Sequence, residues 1–155
     1  MAEAETLTHT AICVHDLKEA EDFYVGLFGA EFFHATNFIT EDTIKGRSIH
    51  RSYKIADYRI ELALPGDYMP MPPEDQLRGA HGFRHAFMVR RDQFDETLER
   101  LKASGVVFQG PVEHPAEGPF GQSIYFKDPS GNFLEIVWRR DEDVKYADVP
   151  DVVAN

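Results

Sequence analysis

The sequence has few of the features that mark secreted, membrane or nucleic-acid-binding proteins. Its one cysteine, Cys13, excludes an internal disulfide. Lysine and arginine number 16 against 27 acidic residues, and a formal net charge of -11 argues against nucleic acid or an anionic membrane as a partner. No apolar run is long enough to span a membrane, and no signal peptide is recognisable. We therefore expect a cytoplasmic protein.

The features that are present fit one globular domain. With 155 residues, 43% of them hydrophobic and 28% charged, the chain can bury a core. We assign residues 1–140 to a single domain, with module one at about 6–65 and module two at about 83–140. Between them lies a proline-rich connector, 66–82. Residues 141–155 are acidic and predict a C-terminal tail.

The two modules are predicted from an internal repeat in which matching positions are 76 residues apart. The matching positions are 9 and 85, 16 and 92, and 29 and 105. The matching residues are His9 and His85, Asp16 and Asp92, and Gly29 and Gly105. In each half the aspartate fits a helix N-cap and the glycine fits a left-handed C-cap. Each half therefore reads as strand, helix and then three strands, which predicts an α+β fold of two βαβββ modules.

The strand boundaries follow from apolar runs and period-two patterns. The predicted strands of the first half are 8–14, 30–36, 48–55 and 58–64. Those of the second half are 84–89, 106–110, 122–127 and 133–138. The last pair of strands in each half is joined by a predicted turn, at Ala56-Asp57 and at Asp128–Gly131.

Two histidines and two glutamates occupy equivalent places in the halves. His9 and His85 lie at the start of each first strand, and Glu61 and Glu135 lie within each apolar last strand. A carboxylate among apolar neighbours is costly to bury unless it is paired or bound to a metal. Two histidines with one or two carboxylates suit a divalent ion that keeps open positions. A histidine or glutamate in a strand often has no ligand role, but the symmetry of both pairs favours a metal site.

The other five histidines have no such repeat partners and are interpreted as ordinary residues: His15, His34, His50, His81 and His114. Among them, His114 lies in a loop rich in proline and glycine, Gly110–Gly121, which could cover a pocket.

Several segments together resemble the vicinal oxygen chelate superfamily, over about residues 7–138. They are His9-Thr-Ala-Ile, Phe23–Gly29, Ile60-Glu61-Leu62, Arg84-His85-Ala86-Phe87 and, most specifically, Ile124–Glu135. The superfamily includes glyoxalase I, methylmalonyl-CoA epimerase, fosfomycin-resistance thiol transferases, extradiol dioxygenases and bleomycin-resistance proteins. The resemblance implies sheets that curve around one divalent metal ion, and a small substrate that binds it through two neighbouring oxygens.

The ligand places of glyoxalase I match His9, Glu61, His85 and Glu135. By that resemblance the metal is Zn, Ni, Co, Mn or Fe, and a catalytic glutamate, Glu61 or Glu135, can leave it to move a proton. The resemblance also implies a homodimer. In that arrangement His9 and Glu61 of one chain join His85 and Glu135 of the other.

The leading prediction is glyoxalase-like isomerase or lyase chemistry, a proton transfer on a small oxygenated substrate. Bacterial glyoxalase I contacts glutathione through an arginine and an asparagine, whose places here hold Cys13 and Pro65. The substrate is therefore expected to be other than a glutathione adduct.

Other members of the superfamily offer alternatives to glyoxalase chemistry. An Fe(II) extradiol dioxygenase would use Tyr125 as a catalytic residue, but the place of its usual histidine holds Phe120. A bleomycin-type protein would sequester a ligand without catalysis. The fosfomycin enzymes share the two histidines and Glu135, but their potassium-binding loop has no counterpart that we identify. Candidates for anion binding are Arg84 and Arg51, and for lining the pocket Phe120, Tyr125 and Trp138.

Overall fold

A computed structural model describes four stretches of the chain, residues 8–36, 50–65, 84–116 and 118–140. The chain divides into two compact units. The first is Met1–Phe83 with Lys127–Phe133, and the second is Arg84–Phe126 with Leu134–Asn155. The predicted connector and the predicted C-terminal tail lie outside the described residues.

The first unit contains one helix and a four-stranded mixed sheet. Its elements are β1 (Thr10–Cys13), α1 (Leu17–Phe28), β2 (Glu31–Thr36), β3 (His50–Ile55) and β4 (Tyr58–Ala63). The strand order is β1-β4-β3-β2. Strand β1 runs parallel to β4, and the other neighbours are antiparallel. This arrangement confirms the predicted βαβββ module.

The second unit repeats this plan. Its elements are β5 (Arg84–Val89), α2 (Arg91–Ser104), β6 (Phe108–Glu113), β7 (Phe120–Lys127) and β8 (Phe133–Arg139). The strand order, β5-β8-β7-β6, is that of the first sheet. The α+β fold of two modules is therefore confirmed. Within the part of the chain described, no helix is long and apolar enough to cross a membrane.

The predicted caps of the first helix are confirmed. The side chain of Asp16 accepts hydrogen bonds from the backbone N–H groups of Lys18 and Glu19, and so satisfies two donors that a helix start leaves unpaired. Gly29 closes the helix with φ 64, a left-handed conformation that glycine adopts without a steric penalty. Gly105 has the same role after α2, with φ 73.

The prediction of Asp92 as the second N-cap is wrong. Helix α2 begins at Arg91, and its N-cap is Arg90, whose side chain makes no capping hydrogen bond. Asp92 lies within the first turn, where its carboxylate accepts from the guanidinium of Arg90 and from the backbone N–H of Gln93. The repeat places an acidic group near both helix starts, where it complements the helix dipole, but the helix begins earlier than the repeat implies.

Strand boundaries differ most in the second unit. The predicted strand 106–110 is observed as Phe108–Glu113, and strand β7 begins at Phe120 rather than at residue 122. The apolar residues that suggested an early start include Val107, which is 89% exposed, so its apolar character does not indicate burial. In the first unit β1 begins at Thr10, so His9 precedes the strand.

The turn between β7 and β8 packs within the first unit. One carboxylate oxygen of Asp128 accepts from the backbone N–H groups of Ser130 and Asn132, at 3.0 and 2.8 Å. The other oxygen accepts from the hydroxyl of Tyr24 at 3.0 Å and from the amide of Asn132 at 2.8 Å. The Asn132 amide also donates to the carbonyl of Cys13. Burial raises the pKa of Asp128, while the hydrogen bonds from Asn132 and Tyr24 oppose that rise.

This network predicts that Tyr24→Phe destabilises the protein by about 1–3 kcal/mol, because a buried carboxylate loses one of its donors. Urea unfolding measures the loss. The control is Tyr58→Phe, since the Tyr58 hydroxyl meets the neutral and partly exposed hydroxyl of Thr10. A control that loses as much stability as Tyr24→Phe would contradict this account of the turn.

Candidate functional site

The first unit brings together the two site residues predicted for it. Glu61 lies in β4, which runs beside β1, and His9 directly precedes β1. The Nε2 atom of His9 is 3.6 Å from Oε2 of Glu61. A histidine and a carboxylate from neighbouring strands therefore form a close pair.

Arg59 fixes the hydrogen-bonding state of this pair. Its Nη2 atom is 3.0 Å from Nδ1 of His9 and 4.0 Å from Oε1 of Glu61. An arginine can only donate, so Nδ1 of His9 is the accepting, unprotonated nitrogen. The hydrogen of the ring is then on Nε2, which faces Glu61. The carboxylate of Glu61 is thus balanced by a guanidinium and by an imidazole N–H.

The second unit holds its glutamate more deeply. Glu135 lies in β8 between Leu134 and Ile136, which are both fully buried. Only 7% of its side chain is exposed. Oε1 accepts a hydrogen bond of 2.6 Å from the hydroxyl of Ser123, and Oε2 is 2.9 Å from Nε of Arg84. Both oxygens of this buried carboxylate therefore have partners, as burial of a charge requires.

His85 lies in β5, the strand beside β8, so it shares a sheet with Glu135. Burial lowers the pKa of His85 below its ordinary value. The neutral imidazole, which is the form that binds a metal ion, is consequently favoured at neutral pH.

A chain of hydrogen bonds extends from Glu135 to His114. Nε2 of His114 is 2.7 Å from the hydroxyl oxygen of Ser123. Because the single hydrogen of that hydroxyl is donated to Glu135, the oxygen accepts from His114, and Nε2 of His114 carries a hydrogen. The two bonds are therefore polarised in one direction, from the imidazole to the carboxylate.

Each candidate glutamate has a serine on the neighbouring strand. Ser52 is paired in register with Glu61, and its hydroxyl is 3.4 Å from Oε1 of that residue. Ser123 occupies the equivalent place beside Glu135, at 2.6 Å. The side chain of Glu61 is 19% exposed against 7% for Glu135. The second glutamate is therefore held more tightly than the first.

The loop that carries His114 is closed by backbone and arginine contacts. The N–H of His114 donates to the carbonyl of Gly121 at 2.9 Å, and the N–H of Arg140 donates to the carbonyl of Pro119 at 2.8 Å. The guanidinium of Arg140 donates to the carbonyl of His114 at 3.0 Å. A Cβ atom on Gly121 would lie 2.1 Å from the ring of Trp138, so only glycine fits there without displacing the indole.

The other predicted site residues have different surroundings. Tyr125 lies beneath the guanidinium carbon of Arg84, 5.5 Å from the ring centroid. Phe120 packs edge-on against His114, with ring centroids 6.0 Å apart. Arg51 forms an ion pair with Glu21, whereas Arg84 pairs with Glu135.

The donor types fit a divalent ion, since imidazole and carboxylate are the ligands that Zn²⁺, Mn²⁺ and Fe²⁺ accept. Each unit supplies one of each type. Among the described residues, no group of three or more His, Cys, Asp or Glu side chains is close enough to hold a metal. The four-residue ligand set therefore stays a prediction.

Sequence reasoning missed the residues that surround the glutamates. No sequence pattern gives a role to Ser52, Ser123 or Arg59, and His114 has no histidine at the matching place of the other half. A small polar residue within an otherwise buried strand, as in Ser-Ile-Tyr-Phe after Gln122, was the available signal for Ser123. The signal for His114 was weaker, because its contact depends on the conformation of a loop.

Comparison with known proteins identifies what this arrangement is similar to. Residues 6–136 match the family described as the Glyoxalase/Bleomycin resistance protein/Dioxygenase superfamily. The fosfomycin resistance protein FosX of Listeria monocytogenes is 27% identical over 130 residues, which cover 84% of this chain and 86% of the relative.

Solved structures agree with this relationship. A crystal structure of the Listeria protein has a TM-score of 0.65 at 26% identity, covering 87% of this chain and 92% of that one. A glutamine variant of the same protein, solved with Mn(II) and 1S,2S-dihydroxypropylphosphonic acid, has a TM-score of 0.64 at 24% identity, covering 88% and 94%. A domain from Frankia sp. has the same fold, with a TM-score of 0.67 at 19% identity, covering 89% and 100%.

The buried hydrogen-bond chain predicts that Ser123→Ala destabilises the protein by about 1–3 kcal/mol, because Oε1 of Glu135 loses its donor. Urea unfolding of Ser104→Ala provides the control, since Ser104 bonds the carbonyl of Leu101 and the N–H of Val106 at the end of α2. Equal losses in the two variants would show that the Ser123–Glu135 bond is not specially stabilising.

Proposed function

The chain belongs to the Glyoxalase/Bleomycin resistance protein/Dioxygenase superfamily, and from that premise we propose that it is a divalent-metal enzyme acting on a small oxygenated anion. His9, His85 and Glu135 would hold the ion, with Glu61 as the fourth ligand. The observation that carries the proposal is the contrast between a tightly held Glu135 and a loosely held Glu61. When bound, the metal would polarise a substrate oxygen and stabilise negative charge on it.

Glu135 has the environment of a permanent ligand. The serine hydroxyl fixes the orientation of its carboxylate, and His114 fixes the serine. Partners of this kind commonly change metal affinity by about 10–100-fold when they are removed. The role that we assign to Glu135 is therefore to bind the metal ion.

Glu61 has the environment of a group that moves a proton. Its carboxylate is more exposed than that of Glu135, and its serine is 3.4 Å away. A carboxylate that can change partners can accept a proton from a substrate or from water and return it. We assign this general-base role to Glu61.

The substrate class is proposed from the relatives and from the positive charge of Arg84 beside Glu135. The Listeria protein is named for fosfomycin, a small phosphonate that carries an epoxide, and the diol in its solved complex is that molecule with water added. Hydration of an epoxide requires a base that activates water, which is the role assigned to Glu61. An epoxide-bearing phosphonate is therefore the first substrate to test.

Proton-transfer isomerisation, as in glyoxalase I, is the second candidate. It is favoured by the exposure of Glu61, because the same base could remove a proton from carbon. In either case the protein is expected to be cytoplasmic.

The division of roles is tested by the isosteric variants Glu61→Gln and Glu135→Gln. Calorimetric titration of metal-free protein with Mn(II) should give about one equivalent for the wild type, and a loss of at least about 10-fold in affinity for Glu135→Gln. Glu61→Gln should keep most of that affinity and lose at least about 100-fold in turnover, since general acid–base catalysis commonly contributes that much.

Phosphorus NMR follows conversion of fosfomycin to its diol, and separate assays follow a hemithioacetal and a catechol. Glu99→Gln is the control, because Glu99 is exposed on α2 and pairs with Lys102. Wild-type protein that binds none of Mn, Zn, Ni, Co or Fe would refute the proposal that the protein is a divalent-metal enzyme. Equal effects of the two site variants on metal affinity would refute the division of roles. Turnover of the catechol alone would favour the dioxygenase.

We also propose a homodimer whose sites combine His9 and Glu61 of one chain with His85 and Glu135 of the other. Co-expression of His9→Ala with His85→Ala under two different tags isolates the mixed dimer. If the sites are shared, one site of that dimer contains both intact pairs, and the mixed dimer should bind about one ion while each parent variant binds none.

Sites formed within single chains would give a different result, because each chain of the mixed dimer then carries one damaged site. A mixed dimer that binds no metal would contradict the shared arrangement. A monomeric holoprotein with one full equivalent of metal would contradict it as well.

A further inference from the structure

Arg84 occupies the boundary between the buried carboxylate of Glu135 and solvent. Its Nε is 2.9 Å from Oε2 of Glu135, and its side chain is 36% exposed while that of Glu135 is 7% exposed. The guanidinium carbon also lies 5.5 Å from the ring centroid of Tyr125. Stacking on an aromatic ring holds a guanidinium in position independently of its ion pair.

The ion pair gives Arg84 a function that depends on the state of Glu135. Oε1 accepts from Ser123, so Oε2 is the oxygen at which positive charge is concentrated. A divalent ion bound at Glu135 would neutralise the carboxylate and repel the guanidinium. The planar set of N–H donors of the guanidinium matches the oxygens of a phosphonate or phosphate, so such an anion can replace the carboxylate.

We propose that Arg84 is a specificity-determining residue that binds the anionic group of the substrate, and that it exchanges Glu135 for this group when the metal binds. This inference rests on the proposed function, because it needs a metal ion at Glu135. It predicts that metal and anion bind cooperatively, each strengthening the binding of the other by the same factor. It also limits the substrate class to small molecules with a phosphonate, phosphate or carboxylate group.

A purely structural role for Arg84 makes the opposite prediction for one variant. If the arginine only neutralises Glu135, its loss leaves a buried charge and damages the site. If it also competes with the metal, Arg84→Gln should bind Mn(II) at least as tightly as the wild type when no anion is present. The metal affinity of this variant thus separates the two roles without an activity assay.

The experiment is calorimetric titration with methylphosphonate of metal-free and Mn(II)-loaded protein. For the wild type, loading with Mn(II) should increase anion affinity by at least about 10-fold, within the usual range of such couplings. Arg84→Gln should abolish the increase, and Arg84→Lys should retain part of it through its charge. The control is Arg90→Gln, whose arginine pairs with the exposed Asp92. Circular dichroism establishes that each variant is folded.

Two results would overturn the inference. Either Arg84→Gln keeps the full increase in anion affinity, or the folded variant binds Mn(II) at least about 10-fold more weakly than the wild type with no anion present. A wild type that binds Mn(II) without any coupling to methylphosphonate would refute this inference alone. A wild type that binds no metal would refute the proposed function together with it.

Discussion

The burial of one carboxylate organises the candidate site of the second unit. Glu135 lies between two fully buried apolar residues in β8. An ionised carboxylate in such a place is stable only when hydrogen bonds and positive charge replace the water it has lost. Ser123 supplies the hydrogen bond and Arg84 supplies the charge. The serine in turn accepts a hydrogen bond from His114, and the guanidinium of Arg140 donates to the carbonyl of His114. Stabilising one buried carboxylate therefore links residues that are far apart in the sequence.

The first unit stabilises its carboxylate, Glu61, less completely than the second unit stabilises Glu135. This difference is the basis of the separate roles proposed for the two glutamates. Glu61 has a serine and an arginine near it, as Glu135 does, but the distances are longer and the side chain is more exposed. A tightly held carboxylate loses little entropy when it binds a metal ion, whereas a loosely held one can change partners during a reaction. In the roles proposed here, one repeated βαβββ plan supplies a fixed metal ligand, Glu135, and a mobile base, Glu61.

Local features of the fold were predictable from the sequence. The left-handed glycines and the Asp16 cap follow from short-range sterics and hydrogen bonding, and the repeat of His9 at His85 revealed the two modules. Asp92 lies in the first turn of α2 and not at its N-cap, so in this chain the repeat keeps the acidic charge near the helix start but not the helix boundary. The packing of the Asp128–Asn132 turn in the first unit depends on contacts with Tyr24 and the carbonyl of Cys13, which no local pattern encodes.

The site was predictable only in part, for a related reason. The four candidate ligands stand out because charged or imidazole groups are rare in apolar strands. The supporting serines do not stand out, because a small hydroxyl group is common in strands. The Ser123–His114 contact arises from the register of β6 and β7 and from the closed loop between them. Those are properties of the assembled sheet, which a single sequence does not show.

The most direct test of the central claim is the anomalous scattering of Mn(II) in crystals of the metal-loaded protein. We predict one peak for each chain, coordinated by an imidazole nitrogen of His9, one of His85 and a carboxylate oxygen of Glu135. A peak bound by other side chains, or by the residues of only one unit, would contradict the claim. So would crystals that contain no peak after saturation with Mn(II).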